Sequence, residues 1–106
     1  MAAMSERPGI VETTSDDAGT TIVRVAGDLD IASVPGVEAE LEPILASGPA
    51  RLAFDLAKVS FMDSSGIAML LRVAARVTNI EIREPSSSVQ LILSATGLAD
   101  VLHADP

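Results

Sequence analysis

The sequence predicts an α/β domain: a single mixed, mostly parallel β-sheet of about four to five strands, covered by about three to four helices. Three observations predict it. Short apolar or alternating runs take turns with helical-period runs along the chain, the order that builds parallel sheets through right-handed crossovers. The 106 residues are 48% hydrophobic but include two Phe and no Tyr or Trp, so Val, Ile, Leu and Ala must form the core. Finally, Phe61-Met62-Asp63-Ser64-Ser65-Gly66-Ile67 gathers small and cap-forming residues at a strand-to-helix junction, where such sheets carry their functional loops.

Each element has its own signal. Residues 1–9 read as a flexible lead-in and 10–106 as one domain, a length suited to a single core. Ile10–Thr14 and the alternating Thr20–Ala26 flank Asp16-Asp17-Ala18-Gly19 and predict a hairpin. Gly27-Asp28-Leu29-Asp30 is expected to leave the sheet as a loop. Ser33 is a candidate N-cap with Pro35 in the first turn. Val34, Val37, Leu41, Ile44 and Leu45 recur on one helical face, with Glu38, Glu40 and Glu42 pointing away. Pro43 should kink this helix or begin its last turn, and Gly48-Pro49 ends it. Arg51–Leu56 predicts a central strand.

After the serines, Ile67, Leu70, Leu71, Ala74 and Ala75 fit the i, i+3, i+4, i+7, i+8 spacing of an inward helical stripe. Asn79–Arg83 predicts another strand. Ser86–Thr96 predicts a third helix, stopped by Gly97 with an apolar contact from Leu98. Val101–His103 is a candidate edge strand.

Composition narrows the chemistry. Fifteen acids against seven bases leave a formal charge of −8, which disfavours nucleic acid or an anionic membrane as a direct partner, since both reward clustered Lys and Arg. No cysteine is present and His103 is the single histidine, so neither a metal site nor a cofactor is expected. Met1–Pro8 lacks the apolar core of a signal peptide, and no apolar run approaches membrane-spanning length. A cytoplasmic domain is expected.

Three roles are open to Ser64 and Ser65. They can cap a helix, for which Asp and Ser are favoured, although three capping residues in a row exceed what one helix needs. They can act as nucleophiles, but Gly-x-Ser-x-Gly is absent and the single histidine lies near the chain end. A phosphate-cradling Gly-x-x-x-x-Gly-Lys-Ser/Thr loop is absent too. Or a serine can accept a phosphoryl group at a helix N-terminus, where backbone N–H groups and partial positive charge favour anions.

Asp55-Leu56-x-x-Val59-x-Phe61-Met62-Asp63-Ser64-Ser65-Gly66-Ile67 resembles the signature of bacterial anti-sigma factor antagonists, which carry the STAS domain. Gly27-Asp28-Leu29-Asp30 resembles that family's Gly-acid-Leu-Asp loop, and Thr96-Gly97-Leu98 its Ser/Thr-Gly-Leu segment. The likeness runs from about Ile10 to Leu102. It departs from the pattern at Ile67-Ala68, where Leu-Gly is usual, at Val77-Thr78-Asn79, and in the few residues that follow Leu102.

The resemblance implies a STAS-like fold and a non-enzymatic function. The unphosphorylated domain would bind an anti-sigma factor that is also a serine kinase, and so release a sigma factor. Phosphorylation would fall on the second serine, Ser65, with Ser64 the second choice, and a protein phosphatase would reverse it. The free protein would be a monomer. The expected docking surface joins Met62, Asp63, Ser64, Ser65 and Gly66 to Asp28 and Asp30. It also takes in Met69, Arg72 and Val73, which fall off the predicted inward stripe. The alternatives are a STAS scaffold or nucleotide-sensing module that does not act on a sigma factor and, last, a serine hydrolase.

Overall fold

Asp16 closes the first turn. Its Oδ1 accepts hydrogen bonds from the amides of Ala18 and Thr20, both at 2.9 Å, a local capture that makes Asp a turn former. The computed structural model describes residues 9–97. In it the turn joins β1 (Gly9–Ser15) to β2 (Thr21–Leu29) as an antiparallel hairpin. Gly9, assigned to the lead-in from sequence, is thus the first residue of β1. The chain then alternates through α1 (Val34–Ala46), β3 (Arg51–Met62), α2 (Ser64–Ala74), β4 (Asn79–Arg83) and α3 (Ser87–Thr96). The strands β2, β3 and β4 pair in parallel, in the order β1-β2-β3-β4. Among the described residues this is the expected mixed, mostly parallel sheet, with four strands and three helices.

Register separates the two faces of the sheet, because residues paired across parallel strands point the same way. Val23, Phe54 and Ile82 align on one face and are fully buried. Arg24, Asp55 and Arg83 align on the other. There Arg24 bridges Glu12 at 2.6 Å and Asp55 at 3.1 Å, and Arg83 bridges Glu81 at 2.6 Å and Asp16 at 3.2 Å. The apolar face meets Val34, Val37 and Leu41 of α1, Met69, Leu70 and Val73 of α2, and Val89 and Leu93 of α3 in one core. Exposed ion pairs contribute about 0–1 kcal/mol each, against roughly 1.5–3 for a buried Val, Leu or Phe. The helix-covered face therefore dominates stability.

Both central strands outrun their predicted ends. The strand β2 continues through Gly27 and Asp28 to Leu29, and β3 through Ala57–Phe61 to Met62. The polar and small residues that suggested loops are accommodated by register shifts at Arg24/Ala26 and Gly27/Asp28. Gly27 takes φ +90° at the second shift, a conformation open to glycine. Beyond Asp55 the β4 side of β3 is taken over by Ser86, whose amide donates to Leu56 O at 3.4 Å and whose hydroxyl donates to Val59 O at 2.6 Å. Ser86 also caps α3 through Val89 N, and Gly97 ends that helix in the left-handed conformation. Pro43 occupies the final turn of α1, which runs only three residues further. Leu98, the candidate strand Val101–His103 and the chain end lie outside the described residues. No described helix is long and apolar enough to cross a membrane.

The phase of α2 differs from the predicted stripe. Met69, Leu70 and Val73 are buried, whereas Leu71 is exposed and Ile67 half-buried. Gly66 sets this phase. A Cβ on it would lie 2.6 Å from Met62 Cγ, 2.9 Å from Leu29 O and 3.0 Å from Leu29 Cβ, so the helix backbone rests directly on the end of β2. With position 66 pinned inward, positions i+3, i+4 and i+7 turn inward as well. Met69 and Val73, expected on a docking surface, are core residues.

Two predictions follow from this packing. Gly66→Ala should destabilise the domain by about 1–3 kcal/mol through overpacking, because Leu29 O is fixed in the sheet. Gly36→Ala, where a new Cβ meets nothing within 4 Å, should stabilise it by up to about 1 kcal/mol through helix propensity. Urea midpoints of the two variants check both signs. A third prediction concerns acid. The Asp16 carboxyl is held below its ordinary value of 3.8 by the Thr20 amide first, then by Arg83 and Ala18. A depressed folded pKa adds stability that is present above the unfolded value and lost as pH falls through the folded one. Asp16→Asn should therefore lower the neutral plateau of a stability–pH profile and flatten its acid limb below about pH 4.

Candidate functional site

The serine turn is built from the end of β3 and anchored to the end of β2. Leu29 pairs with Met62 in register, and Asp63 N–H donates to Leu29 O at 3.1 Å. Asp63 then caps α2. Its Oδ1 accepts from Ser65 N at 2.8 Å and Gly66 N at 3.4 Å, satisfying two of the amides a helix start leaves unpaired. Asp63 is thus the cap, and the following serines are the first two residues of the helix. Ser64 is exposed and Ser65 half-buried. Among the described residues no hydrogen bond engages either hydroxyl.

Both serines open onto a groove of about 360 Å³ between the start of α1 and α2, walled by Ile31, Pro35, Glu38, Ala68 and Arg72. Parallel α1 and α2 place Glu38 opposite Arg72 and Glu42 opposite Arg76, bridged at 2.8 Å in each case. Hydrogen bonding to Glu38 holds the Arg72 guanidinium more firmly in its charged form, and Glu42 does the same for Arg76. The glutamates read as a solvated face therefore clasp one helix to the other. The third, Glu40, accepts from Ile10 N at 3.0 Å and ties α1 to β1.

The remaining predicted site residues divide sharply. Asp63, Ser64, Ser65 and Arg72 come together around the groove mouth. Gly66 lies beneath them, buried, as does Met62 at 2% exposure, so neither presents a side chain to a partner. Met62 joins Met69 and Val73 as a correction: all three fill the core. Asp28 is exposed but belongs to β2, paired with Phe61, while its carbonyl accepts from Ser33 Oγ at 2.6 Å. Asp30 folds its carboxylate onto Ala32 N and Ser33 N, both at 3.0 Å, and so shapes the loop that leads into α1. Ser33 Oγ accepts from Asp30 N at 3.1 Å and bonds back to the loop instead of capping its own helix. The acid walling the groove with the serines is Glu38.

Residue-by-residue reading of the sequence missed Ile31, Glu38 and Phe61. Ile31 is 77% exposed and Phe61 49% exposed, large apolar groups at the serine end of the sheet. One signal was available for Ile31: an apolar residue inside the polar run Asp28–Ser33 has no core position in a turn and must face either solvent or a partner.

The STAS domain family model matches residues 10–106. An anti-sigma-B factor antagonist of Staphylococcus epidermidis is 31% identical over 87 residues, 78% of this chain and 81% of that protein. A crystal structure of an anti-sigma factor antagonist from Mycobacterium paratuberculosis superposes with a TM-score of 0.84 at 22% identity, covering 95% of this chain and 87% of the other. The anti-sigma factor antagonist SpoIIAA in its unphosphorylated form superposes with a TM-score of 0.71 at 21% identity, over 90% of this chain and 87% of the other. At those identities the solved structures speak for the fold, while the family model and the sequence relative speak for descent. With a sheet, a serine turn and a loop arranged as above, this chain belongs to the STAS domain family, and the relatives it matches there are anti-sigma factor antagonists.

Proposed function

We propose that this domain is an anti-sigma factor antagonist switched by phosphorylation of Ser65. Unphosphorylated, it binds an anti-sigma factor that is also a serine kinase, and so frees a sigma factor in the cytoplasm. The free domain is a monomer, and it acts by binding, without catalysing a reaction of its own. The kinase transfers the γ-phosphoryl of ATP: the Ser65 Oγ–P bond forms, the bond to the β-phosphate oxygen breaks, the hydroxyl proton passes to the kinase's base, and ADP leaves. A phosphatase hydrolyses the ester and restores the binding form. The observation that carries this reading is Asp63 Oδ1 on the amides of Ser65 and Gly66.

That cap decides the sign of the effect. A phosphate in a first helical turn ordinarily gains ~0.3–1 kcal/mol from the helix dipole. Here two of the amides that would receive it already serve a carboxylate. The added dianion therefore meets Asp63 as a like charge, costing between about 1 kcal/mol in water and ~4 at an effective dielectric of 20 for charges about 4 Å apart. Water screens this cost while the groove is open. A docked partner removes the water, and a dianion beside a carboxylate is expensive to bury. The switch thus acts at the interface and leaves the fold intact.

Ser65→Ala should bind the kinase and resist inactivation by ATP. Ser65→Asp should bind it more weakly, and the phosphoprotein several-hundred-fold more weakly, for a penalty of about 3–4 kcal/mol. Calorimetric titration of the three forms against the kinase measures this, and equal affinities would remove the electrostatic account. Ile31→Ala should weaken the same complex at least tenfold, about 1.4 kcal/mol, with an unchanged urea midpoint, since its side chain leaves the core untouched.

A further inference from the structure

The two ion pairs that clasp α1 to α2 are unequal. Arg76 grips Glu42 with both terminal nitrogens, at 2.8 and 2.9 Å. Arg72 reaches Glu38 through Nε alone, at 2.8 Å, and its terminal nitrogens make no hydrogen bond to any described residue. Of the two arginines, Arg72 walls the groove into which Ser65 opens, and Arg76 does not. Position 72 follows Ser65 by two helical turns, about 10 Å along the same face. Helical side chains lean toward the N-terminus, so Arg72 leans toward the serines. Only Ala68, with its single methyl group, stands between them on that wall.

We propose that phosphorylation of Ser65 draws Arg72 away from Glu38 and onto the phosphoryl group, an exchange that rests on Ser65 being the phospho-acceptor. A monodentate pair whose side chains are 55% and 36% exposed is weakly held. Phosphate offers the guanidinium a doubly charged, bidentate partner, the stronger charge-assisted geometry. The donor atoms left open on Arg72 are the fork that geometry uses. Once Arg72 moves, Glu38 stands on the groove wall as an uncompensated carboxylate. One modification therefore alters two points of the docking face: it places a partly neutralised phosphate at Ser65 and unmasks an anion on α1. The Arg76–Glu42 clasp stays in place and keeps the helices together.

The test uses the full chain with phosphoserine incorporated at position 65 during translation, so no kinase is needed. The readout is the second ionisation of that phosphate by phosphorus NMR, ordinarily near pH 6. A neighbouring guanidinium lowers this pKa, so the parent phosphoprotein should titrate at least about 0.5 below its Arg72→Gln variant. Glu38→Gln, which removes the competitor, should lower it further, and Arg76→Gln should leave it at the parent value. The Arg72 Nε–H resonance of the parent, which needs no substitution, should shift on phosphorylation while that of Arg76 stays. Equal titration of the parent and Arg72→Gln, or an unmoved Arg72 resonance, overturns the exchange. A kinase that leaves Ser65 unmodified overturns the phospho-acceptor reading instead, and the titration of the incorporated phosphoserine still reports on Arg72.

Discussion

The contact of the Gly66 backbone with Leu29 is the constraint from which the site follows. The Leu29 carbonyl ends β2, receives the Asp63 amide at 3.1 Å, and lies only 2.9 Å from where a Cβ on Gly66 would sit. The start of α2 thereby packs against the ends of β2 and β3 with no room for a side chain of its own at position 66. This close approach holds the start of α2 over the sheet, directs Met69, Leu70 and Val73 into the core, and leaves Ser64 and Ser65 at the rim. A looser junction would let the helix rotate, and one residue of rotation is about 100° of face. Presentation of the serines is therefore a consequence of packing beneath them.

Charge around the groove is arranged with similar economy. The Asp63 carboxylate satisfies the helix-start amides, the Asp30 carboxylate satisfies its own turn, and Glu38 is matched by Arg72. In the unmodified domain the serine rim thus presents compensated charges beside the apolar Ile31. Interfaces favour this composition, an apolar anchor within a polar surround. A phosphate added at the serines would disturb that balance, since the Asp63 carboxylate already occupies the helix-start amides. On the opposite face of the sheet, the row Glu12–Arg24–Asp55 keeps exposed strands solvated and discourages edge pairing.

Much of this was open to inspection in the chain itself. Strand and helix alternated in the sequence as in the structure, Asp16 to Gly19 marked a turn, and Gly97 marked a helix end. Asp63-Ser64-Ser65-Gly66 was legible as a strand-to-helix junction. The ends of β2 and β3 were not, because Gly27-Asp28 and Ala57–Ser60 resemble loop residues until a neighbouring strand supplies hydrogen bonds across shifted registers. The stripe of α2 was misjudged for a related reason. Ile67, Leu70, Leu71, Ala74 and Ala75 fit the helical period as well as Met69, Leu70 and Val73 do, and periodicity cannot choose between two apolar phases.

What the sequence determined by itself was local: which segments are apolar enough to be buried, where capping and turn residues interrupt them, and that a hydroxyl pair follows a central strand. Those are properties of residues and their immediate neighbours. Tertiary structure alone decided the phase of α2, the placing of Glu38 in place of Asp28 on the wall shared with the serines, and the partnership of Arg72. Each of these depends on a contact between residues some thirty or more positions apart, Leu29 with Gly66 and Glu38 with Arg72 among them. Such contacts exist only after the chain has closed on itself, since the energy that selects them comes from steric fit and charge pairing across elements.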